Sequence, residues 1–210
     1  MENNKALSGL YPITPSIYKS DFDYLSKIKT TIESGINIFQ FRCKTFSFKR
    51  KKFFLKYIST ICDDNNVKLI INDDYNLIKP FDLDGLHIGR SDRDLISARK
   101  YFGKNFIIGK SCYNSVKLAK YSMDNNASYV SFGAMYPTKS KASAIIVRHS
   151  ILIEAKKIIR NPICVIGGIN KSNVKQLIKY KPDMVSMISG IFNSKEIRKE
   201  IKDIKRIIIQ

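Results

Sequence analysis

The chain has 210 residues, 44% of them hydrophobic, which suits one globular domain with a full core and is long for a small binding module. No apolar run approaches the ~18 residues that span a bilayer, and the start, "MENNKALSGLYPIT", lacks the basic and apolar regions of a secretory signal. No membrane partner is expected, and the expected compartment is the cytoplasm. The formal net charge of +19 would suit nucleic acid or an anionic ligand, but the lysines of "FKRKKFFLK" and "KEIRKEIKDIKR" are spread over helix faces and form no stripe with interleaved aromatics. The charge is read as the Ile-, Asn- and Lys-rich composition of an AT-rich genome. It would still attract anions.

Taken in chain order, short apolar runs alternate with longer amphipathic stretches. "LYPIT" (10–14) predicts a first strand, and a helix over 21–34 follows the capping pair Ser20-Asp21 and ends at "ESG". "INIFQF" (36–41) is the second strand, followed by a helix over 47–63; "VKLIIN" (67–72) is the third, followed by a weaker helical stretch over 75–80. "GLHIG" (85–89) precedes a helix over 92–102, and "FIIG" (106–109) precedes one over 114–124 behind Asn114-Ser115. "YVSFG" (129–133), "ICVIGG" (163–168) and "MVSMIS" (184–189) complete the strands, with helices over 149–159, 172–180 and 194–207.

The pattern switches between periods of about 2 and 3.6, the mark of βαβ units. Eight such units with no linker predict a single-domain (β/α)8 TIM barrel over 1–210. An open doubly wound sheet is the alternative, disfavoured by the eight-fold count and the lack of an early G-x-G-x-x-G. Cys43, Cys62, Cys112 and Cys164 show no Cys-x-x-Cys pair or metal-ligand spacing and are read as free buried thiols.

Barrels place their chemistry at the C-terminal ends of the strands. In "GINIFQFRCK" the apolar alternation gives way to Gln40, Arg42 and Lys44 at every second position, one face of a strand. Strand 3 ends in Asn72, Asp73 and Asp74, Asp92 follows strand 4, and Ser111 follows strand 5. "YPTKSKA" after strand 6 brings Thr138, Lys139, Ser140 and Lys141. Gly167-Gly168 and Ile188-Ser189-Gly190 close strands 7 and 8, where barrels commonly bind a phosphate.

The cations suit phosphate, and two carboxylates on neighbouring strand ends suit Mg2+ completed by substrate oxygens. Taken singly, Asp73, Asp74 and Asp92 read as helix caps, His87 as a core or supporting histidine, and His149 as structural. Taken together on one rim, the groups suggest two phosphate-bearing ligands in one cup.

These motifs resemble the thiamine-phosphate synthase family over about residues 9–192. "FQFRCK" is similar to its Gln-x-Arg-x-Lys, "LIINDD" to its Ile-Asn-Asp, and "DGLHIGRSD" to its Asp-Gly-x-His-x-Gly-x-x-Asp. "GKSC", "FGAMYPTKSK", "VIGGI" and "MISGIF" match its later motifs in order and spacing. The resemblance implies a Mg2+-assisted transferase that joins hydroxymethylpyrimidine diphosphate to a thiazole phosphate with release of pyrophosphate. By the same resemblance, Gln40, Phe41, Arg42, Cys43, Lys44, Asn72, Ser111 and Lys141 would hold the pyrimidine diphosphate. Arg42, Lys44, Ser111 and Lys141 would carry the catalysis, and Asp73 and Asp92 the Mg2+. Thr138, Lys139, Ser140, Gly168, Ile188 and Ser189 would hold the thiazole phosphate. The sequence departs from the pattern at Arg90-Ser91, usually Gln and an acidic residue, and in "ASAIIVRHS", which lacks the usual Pro/Gly run.

Two other readings stand beside this one: a thiazole tautomerase-like isomerase, and a degenerate basic barrel that binds nucleic acid. The retained Arg42, Lys44, Asn72, Asp73 and Asp92 favour the synthase. A homo-oligomer is possible on this sequence.

Overall fold

The computed structural model describes residues 7–89, 92–138 and 144–209, with residues 92–94 described in backbone only. All eight predicted strands form: β1 Gly9–Pro12, β2 Ile38–Phe41, β3 Lys68–Asn72, β4 Gly85–Ile88, β5 Ile107–Tyr113, β6 Tyr129–Phe132, β7 Ile163–Val165 and β8 Met184–Met187. They make one parallel sheet in the order β1-β8-β7-β6-β5-β4-β3-β2. Helices α1 Asp21–Ile32, α2 Phe48–Asp64, α3 Asp92–Phe102, α4 Val116–Asp124, α5 Ile151–Ile158, α6 Val174–Ile178, α7 Ser189–Phe192 and α8 Ile197–Ile209 alternate with them. The protein is a (β/α)8 barrel.

The helices form where capping and apolar spacing agree. Ser20 Oγ accepts from Asp23 N–H at 3.2 Å, and α1 then buries Tyr24, Ile28, Thr31 and Ile32 on one face. Ser47 opens α2 in the same way, and Ser115 opens α4. Asn173 behaves differently. Its Oδ1 accepts from Asn170 N–H and its Nδ2 donates to Gly168 O, so it ties the β7 exit together rather than capping α6.

Several boundaries differ from the sequence reading, strand 8 among them, which stops at Met187 before a short helix at Ser189–Phe192; three of the differences have plain physical reasons. Residues 75–80 make two 3-10 turns, Tyr75–Leu77 and Lys79–Phe81, because Pro80 cannot continue an α-helix. β5 runs on to Tyr113 through a register shift between Ser111 and Tyr113, an extension hidden by its polar residues. β7 stops at Val165 because Gly167 and Gly168 take left-handed φ values of 102° and 65°. At Gly168 a Cβ would lie 2.4 Å from Pro137 O, so only glycine lets this turn approach the β6 exit.

Side chains on the strands sort by period 2. Tyr11, Ile38, Ile70, Ile107, Tyr129, Cys164 and Met184 fill the ring, while Phe39, Phe41, Leu69, Ile71, Val130 and Val165 pack outward against the helices. The four cysteines are free and buried, as expected, Cys164 inside the ring and the other three in the outer layer.

The ring closes at a narrow seam. Ile13 N–H bonds to Met187 O on β8, so alternate residues of this segment face β2, where Pro12 has no N–H to give. Closure on the β2 side falls to Thr14. Its N–H donates to Gln40 O at 3.0 Å, and its buried hydroxyl donates to Arg42 O at 3.1 Å and accepts from Arg42 N–H at 2.8 Å. Thr14→Val keeps the shape and removes both hydroxyl bonds, leaving two main-chain groups unpaired. Urea denaturation is expected to show a loss of about 2 kcal/mol, with Thr14→Ser close to wild type. Equal stability of Thr14→Val and wild type would remove the closure role.

Candidate active site

The C-terminal ends of the strands surround a cavity of about 430 Å3, within the range of small-molecule sites. Gln40, Arg42, Lys44, Asn72, Asp73, Ser111, Thr138, Gly168, Ile188 and Ser189 all line it. The side chains of Phe41 and Cys43, expected beside the substrate with them, do not line it. Strand alternation turns both outward: Phe41 is fully buried in the outer core, and Cys43 Sγ lies 3.0 Å from Tyr24 OH beneath α1. Lys139, Ser140 and Lys141 lie outside the described residues. Asp92 begins α3, and its side chain lies outside them too.

Asp73 is the most constrained group on the rim. It follows β3 in the left-handed region, φ 62°, a conformation that Asp tolerates better than most residues. Its N–H donates to His87 O at 3.0 Å, its Oδ1 accepts from Gly89 N–H at 3.1 Å, and its Oδ2 accepts from Asn72 Nδ2 at 2.7 Å. Lys44 Nζ stands 3.7 Å from the same Oδ2. The Gly89 carbonyl meanwhile accepts from the buried Lys110 Nζ at 2.8 Å. The exit of β4, which leads to Asp92, is thus held from both sides. Asp74 points elsewhere, into a 2.6 Å ion pair with Lys51 on α2.

The described part of the expected Mg2+ site is the Asp73 carboxylate. Each Asp73 oxygen keeps lone-pair capacity beyond its present bonds, and the hard oxygen donors suit that ion. Among the described residues no cluster of three or more His, Cys, Asp or Glu gathers into a closed cage.

Below the rim lies a polar chain that the sequence reading did not assemble. Gln40 Nε2 donates to Tyr11 OH at 2.8 Å, and Tyr11 OH lies 2.9 Å from Tyr129 OH. Tyr129 OH lies 2.9 Å from His87 Nδ1, and His87 Nε2 lies 2.9 Å from Ser111 Oγ. The supporting role read for His87 is what the structure shows. Tyr11 and Tyr129 were legible only as members of the first and sixth strands. His149 donates from Nε2 to Met135 O at 3.2 Å, a structural tie at the β6 exit.

Burial pushes both phenols above their ordinary range, so they stay protonated. Burial, against an opposing pull from Asp73 and with smaller pushes from Lys110 and Arg42, lowers His87 from an ordinary 6.5 to about 4.

A family model described as thiamine monophosphate synthase matches residues 10–191. The thiamine-phosphate synthase of Pelagibacter ubique (strain HTCC1062) is 38% identical over 190 residues, 90% of this chain and 91% of its own. That of Nitrosomonas eutropha is 35% identical over 202 residues, 96% of this chain and 94% of its own. The solved thiamine phosphate pyrophosphorylase from Pyrococcus furiosus matches with a TM-score of 0.86 over 98% of this chain and 97% of its own; at 23% identity that likeness speaks for the fold. Fold and cup together are those of a barrel enzyme. The chain belongs to the thiamine monophosphate synthase family, and it is a transferase. Among the described residues no helix is long and apolar enough to cross a membrane.

The lowered His87 makes a signed prediction. Below pH 6.5 the unfolded chain protonates this residue while the folded one does not. Its contribution is whole above pH 6.5 and is lost as pH falls toward about 4, on the order of 3 kcal/mol in all. Denaturant midpoints measured across that window should fall with acid, and fall less steeply in His87→Gln. Parallel pH profiles for the two proteins would contradict the burial argument.

Proposed function

We propose that the cup couples 4-amino-2-methyl-5-(diphosphomethyl)pyrimidine to a thiazole phosphate, in its carboxylate or hydroxyethyl form, to give thiamine phosphate and pyrophosphate. The observation that carries this reading is the meeting of Gln40, Arg42, Lys44, Asp73 and Ser111 in one cavity whose other wall is Gly168, Ile188 and Ser189. One wall offers cations and a carboxylate, the other glycine-rich backbone, and the proposed reactants carry a phosphate group each.

In this reading the C–O bond of the pyrimidine methylene breaks first, and its electron pair leaves on the pyrophosphate oxygen. The thiazole nitrogen then gives its lone pair to the methylene carbon; the carboxylate form would also lose CO2, and the carbon it leaves would take up a proton from water. Arg42 and Lys44 face the charge that gathers on the leaving group, and Lys141 would join them; preorganised cations act most strongly where charge develops. Asp73 and Asp92 would hold Mg2+, which supplies further neutralisation of the departing pyrophosphate. Thr138, Lys139 and Ser140 would join Gly168, Ile188 and Ser189 on the thiazole phosphate. Confining both reactants in one cavity removes much of the entropic barrier to their meeting. No proton transfer by the protein is needed, in keeping with a His87 that stays neutral inside the ring.

The test is release of pyrophosphate from the two substrates. It should require both of them and Mg2+, and chelation should abolish it. Asp73→Asn is expected to lower kcat by on the order of a hundredfold with an unchanged thermal midpoint, because the exposed carboxylate carries little of the core. Turnover without Mg2+, or isomerisation of the thiazole with no coupling, would overturn the assignment.

A further inference from the structure

The hydrogen-bond chain beneath the cup has a direction. Tyr11, Tyr129, Gln40 and His87 are buried inside the ring, and the contacts from Gln40 to Ser111 link strands β2, β1, β6, β4 and β5 in turn. Gln40 offers its Nε2 hydrogen to Tyr11 OH, so the Tyr11 oxygen acts as an acceptor there. Among the described residues the only acceptor within reach of the Tyr11 hydrogen is Tyr129 OH. The Tyr129 hydrogen must then go to His87 Nδ1, which leaves the His87 hydrogen on Nε2, donated to Ser111 Oγ. The Ser111 oxygen is satisfied as an acceptor by His87, and its own hydrogen remains for the cavity.

We propose that Tyr11, Tyr129 and His87 are positioning residues that hold the two ends of this chain in opposite senses, Ser111 as a donor toward the ligand and Gln40 Oε1 as an acceptor. Gln40 Oε1 has no donor among the described residues and belongs to a side chain that lines the cavity. The ligand class selected has an anionic or other acceptor group over Ser111 and an N–H donor over Gln40. On the coupling reaction proposed above, on which this assignment of roles rests, the aminopyrimidine diphosphate has both.

The ring is built around this chain. Gly109 on β5 leaves the space that Tyr129 occupies: a Cβ there would lie 2.0 Å from the Tyr129 ring and 2.3 Å from its hydroxyl. Tyr11 meets the Tyr129 ring edge-on at 83°, and the His87 ring stacks on it at 28°, so neither aromatic partner can turn without losing packing. The buried phenols stay protonated, so each keeps a hydrogen to pass along the chain. If the Gln40 amide were turned the other way, each proton would shift to the opposite partner. The His87 hydrogen would sit on Nδ1, and Ser111 would have to give its hydrogen to Nε2.

The histidine tautomer therefore reads the direction. The chain has two histidines, and long-range 1H–15N spectra of 15N-histidine-labelled protein can be assigned with His149→Gln. A neutral His87 with hydrogen on Nε2 is expected at pH 7. Hydrogen on Nδ1, an imidazolium, or a fast average of tautomers would overturn the proposal. The spectrum is independent of turnover, so an inactive protein with an Nε2–H tautomer would sink the coupling reaction and leave the direction standing. The positioning role is read from a cycle of Tyr129→Phe and Ser111→Ala on pyrophosphate release. Tyr129→Phe should lower kcat/KM about tenfold in the parent and have little effect once Ser111 is alanine. Equal losses in both backgrounds would show that Tyr129 acts through packing alone.

Discussion

A ring of eight parallel strands gives each strand side chain one of two destinations, the interior or the layer under the helices. In this protein every site feature follows from that limit. On β2 and its extension, Ile38, Gln40, Arg42 and Lys44 share the face that passes from ring interior to cup, while Phe39, Phe41 and Cys43 share the face packed beneath the helices. Thr14 then fixes the main chain of Arg42 against the closing seam, so the seam of the barrel and the placement of a cationic group are one structure.

The interior departs from an all-apolar filling, and the departure is tolerated because it is satisfied. Tyr11, Tyr129, His87 and Ser186 find partners inside the ring, Ser186 by donating to Tyr11 O at 2.9 Å, and Gln40 is tied by its Nε2 and leaves only its Oε1 to the open cavity. A half-satisfied network in the same place would cost more than an apolar core. The side chains that plug the ring also set the polarity of the cup floor, which joins packing to recognition without a separate layer of supporting residues.

Much of this was legible in sequence because strand alternation and strand ends are local. Eight apolar runs gave eight strands, and the polar groups at their ends mark the cavity rim. The ring closure was not legible, since it depends on Pro12 and Thr14 meeting a strand some thirty residues away. Nor was the polar chain. Tyr11, Tyr129 and His87 read separately as residues of three different strands, and only the barrel brings β1, β6 and β4 together across the ring. Phe41 and Cys43 belong to the same motif as Gln40, Arg42 and Lys44, but the period of a strand turns their side chains away from the cup.

The central claim is that the two faces of β2 and the residues following it divide the work, and a comparison of paired variants tests it most directly. Arg42→Met and Lys44→Met are set against Phe41→Leu and Cys43→Ala, with pyrophosphate release and denaturant midpoint measured for all four. The account predicts that the first pair loses turnover at nearly unchanged stability and that the second pair loses stability at nearly unchanged kcat/KM. Loss of turnover from Phe41→Leu or Cys43→Ala comparable with that of Arg42→Met, at full stability, would contradict it.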